Sequence, residues 1–365
     1  MNICILVGAR PNFMKVAPLI RAVNSAKKQG NDINETLVYA GVENDNSLED
    51  SLFEDLQTHR PDVYLGVGSG TLNEITGKVM GEFEKYLASN PTDLVIVVDD
   101  LASTMAAAIV AKKQGLILAH LVAGTRSFDI NMPKEINRLV IDGLSDLLFT
   151  AGDGSFSVVC REGANMNKIY IVGNILMDTL RFNLPRFERP DILKQKRLND
   201  KQYIVFTLNR KVLINDKENL RSMMVAMQKA ASTTPIIAPL RKEARKVVEE
   251  ILSESLSSSP IYVVDPMPYL QFGYLTSHAK GVITDSGNVA EEATFNAVPC
   301  ITLNSYTEHI ETIRQGSNVL VGEDAGKLED ALHDMIEGKW KNCSLPDRWD
   351  GRTADRIIRI LLENK

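Results

Sequence analysis

Long apolar runs are missing from this chain. No stretch approaches the roughly 18 uninterrupted apolar residues of a membrane-spanning helix, so no membrane partner is expected. Cysteine is scarce: Cys4, Cys160, Cys300 and Cys343 are scattered, without the CxxC or CxH spacing of a zinc site. No metal is expected, and the thiols point to a reducing compartment, the cytoplasm. An excess of positive charge is lacking too. The formal net charge is −6, which speaks against nucleic acid as a general partner. The N-terminal stretch "MNICILVGARPNF" has no basic leader and too short an apolar run for a signal peptide, and reads as a buried first strand. No internal repeat is visible.

What is present is an ordinary globular composition, 44% hydrophobic and 24% charged, in 365 residues, enough for two domains each with its own core. Apolar β-rich runs alternate with helical patterns: "NICILVG", "KVAPLIRAVNSAKKQ", "NETLVYAG", "PDVYLGVG", "TDLVIVVDD", "STMAAAIVAKKQG" and "ILAHLVAG". Continuous apolar strands separated by helices predict a parallel sheet covered on both faces. A charged stretch with two prolines, "RFNLPRFERPDILKQKRLNDKQ", interrupts the rhythm. It restarts with "YIVFTLN", "TPIIAPL", "IYVVDP", "KGVITDSG" and "VPCITLNS", and "TADRIIRILLEN" reads as an amphipathic closing helix. The predicted architecture is α/β, with two Rossmann-like doubly wound domains and a cleft between them. The expected divisions are 1–172, 173–345 and a closing segment 346–365.

In doubly wound sheets, ligands bind at the carboxyl ends of strands, where loops lead into helix N-termini. Three such junctions stand out. In "VGARPNFMK" (7–15), Arg10 and the amides at the helix start suit a diphosphate, though an ordinary strand-to-helix turn has the same form. "GVGSGTLNEITGKV" (66–79) is a glycine-rich junction that fits either a ligand loop or a plain turn. "TDSGNVAEEA" (284–293) is more specific. Ser286 and backbone amides can take phosphate oxygens, Gly287 admits a ligand closely, and Glu292 can accept both hydroxyls of a ribose. Helix capping by Asp285 or Ser286 is compatible with that role.

Together with "INRLVIDGLSDLLFT", "VGNILMDTL" and "PCITL...TE...GSNVLVG", these stretches resemble the non-hydrolysing UDP-N-acetylglucosamine 2-epimerases, collinearly over nearly the whole chain. The resemblance implies the glycosyltransferase-B architecture, a UDP-sugar ligand, no cofactor, and commonly a dimer. The implied reaction interconverts UDP-N-acetylglucosamine and UDP-N-acetylmannosamine for cell-surface polysaccharides. It removes the C2 proton and expels UDP, giving a bound glycal, and so needs acid/base groups near C2 and the glycosidic oxygen.

By the same resemblance, Arg10 and Lys15 match the "GxRP" turn, and Ser286, Gly287, Glu291 and Glu292 the UDP-binding "TDSG...EE". Asp100 matches a strand-end aspartate, Arg126 the arginine of "EAGLR", and Asn137 with Arg138 the end of "INR". The acid/base positions depart from the pattern. Val122 stands for the glutamate of "HVEAG", Lys134 for the first glutamate of "PEEINR", and Asn209 for the histidine of "LHR". The family's "GQHYD" is here "GVEND" (41–45), and its "HPR" is "LRK" (240–242). None of the five histidines restores what is lost; His120 matches a family histidine outside the catalytic set.

Valine moves no proton, and asparagine has no titratable form near neutrality. Three readings follow. The chain binds a UDP-sugar with the family reaction weak or lost, alone or paired with an active paralogue as a homodimer or heterodimer. Or it is a working enzyme on another nucleotide sugar, with Asp100, Glu135, Lys134 and Glu43 as a rearranged set. Or it is an ordinary epimerase that tolerates the changes. In the first reading Val122, Arg126, Asn137, Arg138 and Asn209 form the sugar-side wall.

Overall fold

The computed structural model describes residues 1–255 and 259–363. Two compact units emerge: Met1–Asn183 with Asp347–Lys365, and Leu184–Pro346. The chain therefore returns to its first unit at the end.

The first unit holds a seven-stranded parallel sheet. Its strands are β1 (Asn2–Val7), β2 (Asn34–Tyr39), β3 (Val63–Tyr64), β4 (Leu94–Val98), β5 (Ile117–Ala123), β6 (Leu147–Thr150) and β7 (Ile169–Ile171). Their spatial order is β3-β2-β1-β4-β5-β6-β7. In β4 every residue is buried, as expected of a central strand covered on both faces. The second unit holds β8 (Ile204–Phe206), β9 (Ile236–Pro239), β10 (Ile261–Val264), β11 (Gly281–Thr284), β12 (Cys300–Thr302) and β13 (Asn318–Leu320), all parallel. The order there is β10-β9-β8-β11-β12-β13. Each unit has the doubly wound order, with its switch point between β1 and β4 or between β8 and β11. The expected α/β, doubly wound class is thus observed in both units. β6, β7 and β13 had not been read as strands; at three or four residues they are too short to show an alternation of their own.

The first unit extends past residue 172 because the helix Ile175–Asn183 packs on the helix Arg10–Lys28 and on the closing helix Thr353–Glu363. Ala354, Ile357, Ile358 and Leu361 complete the core of this unit alongside Phe13, Ile20 and Val23. Buried Trp349 donates through its indole N–H to the carbonyl of Ala151 at 3.0 Å. Asp178 holds the start of the closing helix, accepting from the amides of Thr353 (2.9 Å) and Ala354 (2.8 Å). These are first-turn N–H groups with no partner inside their own helix. Replacing Asp178 by Ala is expected to cost about 1–2 kcal/mol, a fall in Tm of roughly 2–8 °C by calorimetry, with the far-UV spectrum preserved.

Candidate functional site

At the β1/β4 switch point the chain leaves β1 through Gly8 and enters the helix Arg10–Lys28 with Pro11 in its first turn. The amides of Gly8 and Ala9, candidates for a diphosphate, already donate to Asn12 Oδ1 at 3.0 and 3.1 Å. The Asn12 amide in turn donates to Asp99 Oδ2 (2.7 Å), and Lys15 Nζ pairs with Asp99 Oδ1 (2.5 Å). Lys15 is thus engaged by protein, whereas the Arg10 side chain is exposed. The junction at 66–79 is organised as a helix start. Thr71 and Glu74 cap reciprocally, Thr71 Oγ1 accepting from the Glu74 amide and Glu74 Oε2 from the Thr71 amide.

Asp100, Lys134, Glu135, Asn137 and Arg138 come together. The helix Pro133–Leu144 turns Glu135, Arg138 and Asp142 inward at a spacing of three and four residues, one helical face. Arg138 reaches Asp100 Oδ2 through Nε (2.9 Å) and Nη2 (2.6 Å), and Asn137 Nδ2 donates to the Asp100 carbonyl at 2.8 Å. Lys134 Nζ lies 3.5 Å from Asp100 Oδ1, with its side chain 58% exposed. Glu135 Oε2 accepts from the Ser127 amide and hydroxyl and from Arg138 Nη1, while Oε1 accepts from the Phe128 amide. Burial works to raise the Glu135 carboxyl, but these hydrogen bonds and the Arg138 charge hold it below the usual carboxylate range. Glu135 is therefore an ionised brace for the 127–128 loop. Oε2 carries three of these four bonds and Oε1 one.

Around the end of β5 lies a second group of buried charges, whose acidic members escaped the sequence reading. His120 Nδ1 is 2.6 Å from Asp142 Oδ1, and Nε2 is 3.0 Å from the Asp99 carbonyl. Asp142 Oδ2 accepts from the Gly124 amide (3.0 Å) and pairs with Arg126 Nη2 (2.7 Å). Burial pushes the Asp142 carboxyl up, yet the His120 ring and the Arg126 guanidinium keep it below its ordinary range. Arg126 also binds Glu162 through Nε and Nη2 and the Thr125 carbonyl through Nη1, and its side chain is 1% exposed. It is turned inward. Gly124 is obligatory, since at φ +76° a Cβ would stand 2.3 Å from the Ser155 carbonyl oxygen. The acidity of Asp142 had one sequence signal, its helical spacing from Glu135 and Arg138.

In the second unit, the β8/β11 switch point gathers Asn209, Asp285, Ser286 and Glu292. Asp285 Oδ2 accepts from the amides of Asn209 and Arg210, both at 2.6 Å, fixing the loop after β8. Asn209 itself is exposed. Ser286 is the N-cap of the helix Gly287–Phe295 and makes no side-chain cap bond. A Cβ on Gly287 would meet no atom within 4 Å, so the space above that helix start is open. Glu291 Oε1 is 3.5 Å from His309 Nε2. Glu292 Oε2 is buried without a hydrogen-bond partner. Burial, with the neighbouring Glu291 charge, pushes its carboxyl up to about 8.

Comparison with known proteins decides the family. A family model described as UDP-N-acetylglucosamine 2-epimerase matches residues 25–362. The chain belongs to this family. A UDP-N-acetylglucosamine 2-epimerase of Methanocaldococcus jannaschii is 34% identical over the whole of both chains. Its crystal structure in complex with UDP-GlcNAc and UDP superposes with a TM-score of 0.82 and full coverage of both chains. A UDP-2,3-diacetamido-2,3-dideoxy-D-glucuronate 2-epimerase of Pseudomonas aeruginosa is 33% identical, covering 92% of this chain and 90% of the relative. The glycosyltransferase-B fold implied by the resemblance thus holds for this epimerase-family chain.

Glu292 gives a direct test of the second-unit geometry. A carboxyl at about 8 in the folded protein and about 4.5 when unfolded favours the fold while protonated. That contribution is present below pH 4.5 and is lost as pH rises through 8. The Tm of the ligand-free protein is expected to fall as pH rises from 4.5 to about 8 and to level off above it, and Glu292→Gln to flatten that fall. Parallel declines in both proteins would show that Glu292 does not titrate there.

Proposed function

We propose that this epimerase-family chain binds a UDP-sugar and carries out the interconversion of UDP-N-acetylglucosamine and UDP-N-acetylmannosamine weakly or not at all. The observation that carries this is the state of the acids. Val122, Lys134 and Asn209 stand at the family's acid/base positions, and the nearby carboxylates of Asp100 and Glu135 are bonded to Arg138, Ser127 and Phe128. Loss of one acid/base group typically costs about 10²–10⁴ in rate. Three such losses leave little, even without additivity.

UDP binding rests on the second unit. The open start of the helix Gly287–Phe295 presents Ser286 and unpaired first-turn amides to a diphosphate, and Glu292 offers a carboxylate to the ribose hydroxyls. A reading with an active enzyme on another nucleotide sugar is favoured by one finding, the different sugar named for the Pseudomonas relative. Asp100, Lys134 and Glu43 would then be its reactive groups. The free thiols fit a cytoplasmic protein. Exposed Phe128, Ile130, Ile136 and Leu139 support a homodimer or a heterodimer with an active paralogue.

Two measurements test this reading. Ribose hydroxyls donating to Glu292 favour its ionised form, so UDP binding near pH 7 releases a proton and tightens as pH rises toward 8. Calorimetric titration in buffers of different ionisation heat is expected to show that proton, and Glu292→Ala to weaken UDP binding about 10–100-fold. Unchanged affinity would discard the nucleotide site. For the chemistry, C2 proton exchange of UDP-N-acetylglucosamine in deuterated water is expected to be near background. Val122→Glu combined with Lys134→Glu and Asn209→His should raise it. Turnover by the parent at ordinary enzyme rates, on the order of 1–10³ s⁻¹, would overturn the reading.

A further inference from the structure

Two residues at adjacent strand ends of the first unit have backbones that L side chains rarely adopt. Asp99, just after β4, has φ +59°, and Val122, near the end of β5, has φ +74°. Aspartate tolerates this region, whereas a β-branched valine there is strained. At the same place the pairing of β5 with β6 slips register between Leu121 and Ala123. Strain of this kind persists only where the surroundings over-determine it.

The surroundings here do so. His120 bonds the carbonyl of Asp99 on one side and the Asp142 carboxylate on the other. Asp142 holds the Gly124 amide and Arg126, two and four residues past Val122. Thr125 Oγ1 donates back to the Val122 carbonyl at 3.2 Å. Through its carboxylate Asp99 fixes Lys15 and Asn12, and through Asn12 the amides of Gly8 and Ala9. We infer that Asp142 and His120 are positioning residues: they force the left-handed turn that aims residue 122, and they tie it to the 8–12 turn. Both side chains are buried. Their claim to function rests on the proposed sugar-side role of residue 122; their claim to hold the strain does not.

The test is a double-mutant cycle. Val122→Gly removes the strain penalty at residue 122, along with some side-chain packing. In Asp142→Asn the amide cannot serve His120, Gly124 and Arg126 together, so the turn relaxes and there is less strain to remove. The change in Tm caused by Val122→Gly is therefore expected to be more favourable in the parent than in Asp142→Asn, by about 2–6 °C. Equal changes in both backgrounds would overturn the inference. His120→Gln is a second background for the same cycle should Asp142→Asn not fold.

A ligand readout then separates positioning from mere stability. Asp142→Asn is expected to change the ratio of the dissociation constants of UDP-N-acetylglucosamine and UDP severalfold, leaving that of UDP itself near the parent value. An unchanged ratio, despite coupling in the thermal cycle, would refute the link to the sugar. A parent that binds neither ligand would sink the nucleotide-site reading, and the thermal cycle would still decide who holds the turn.

Discussion

A charge taken out of water must be paired, and the first unit is organised around that requirement. Asp99, Asp100, Glu135 and Asp142 all lie near the carboxyl ends of β4 and β5, and each has its cation: Lys15, Arg138, Arg138 again, and Arg126. Because these partners come from different elements, the pairings set where the loops run. The helix Pro133–Leu144 cannot shift without stranding Asp100 or Asp142. Removing one member of such a buried pair leaves an uncompensated charge, at a cost of about 3–5 kcal/mol. The switch point is in this sense a rigid block rather than a set of independent loops.

The second unit does the opposite at its own switch point. Asp285 Oδ2 takes two backbone amides, but Asp285 Oδ1 and Glu292 Oε2 are buried with no hydrogen-bond partner. The Glu292 carboxyl holds its proton and waits for a donor. The contrast holds at the two switch points: the first ties its acids to cations, and the second leaves a buried oxygen on both Asp285 and Glu292 without a partner beside an open helix start.

Much of this was legible in the sequence. Buried strands such as "TDLVIVVDD" announce a parallel sheet by their unbroken apolar runs, and "TDSGNVAEEA" announces a helix start at a strand end. Three short strands, β6, β7 and β13, were not legible, because three or four residues carry no period. Nor was the turn at Val122, since valine favours extended backbone and nothing local predicts φ +74°. That conformation is imposed from Asp142, twenty residues later in the chain, by way of contacts that exist only once the sheet has formed. Arg126 illustrates the same gap. Its motif suggested a wall residue, and the fold turned it inward because Asp142 and Glu162 were there to receive it.

The distribution of changed and unchanged positions follows from the same physics. Val122, Lys134 and Asn209, which the resemblance sets at the positions of the family's acids and histidine, take no part in the buried pairing. Lys134 is mostly exposed, with one contact at 3.5 Å, and Asn209 is exposed. Val122 contributes only apolar packing at the edge of the core. Substitution at these positions leaves no buried charge behind, and its cost at residue 122 is the backbone strain of valine there. Asp100, Arg126, Arg138 and Asp142 have no such freedom, whatever happens to catalysis. A chain released from the family reaction would therefore lose its reactive groups first and keep the charges that shape the loops. The presence of Asp100 and Arg138 is thus no argument for retained chemistry, because their buried pairing accounts for both.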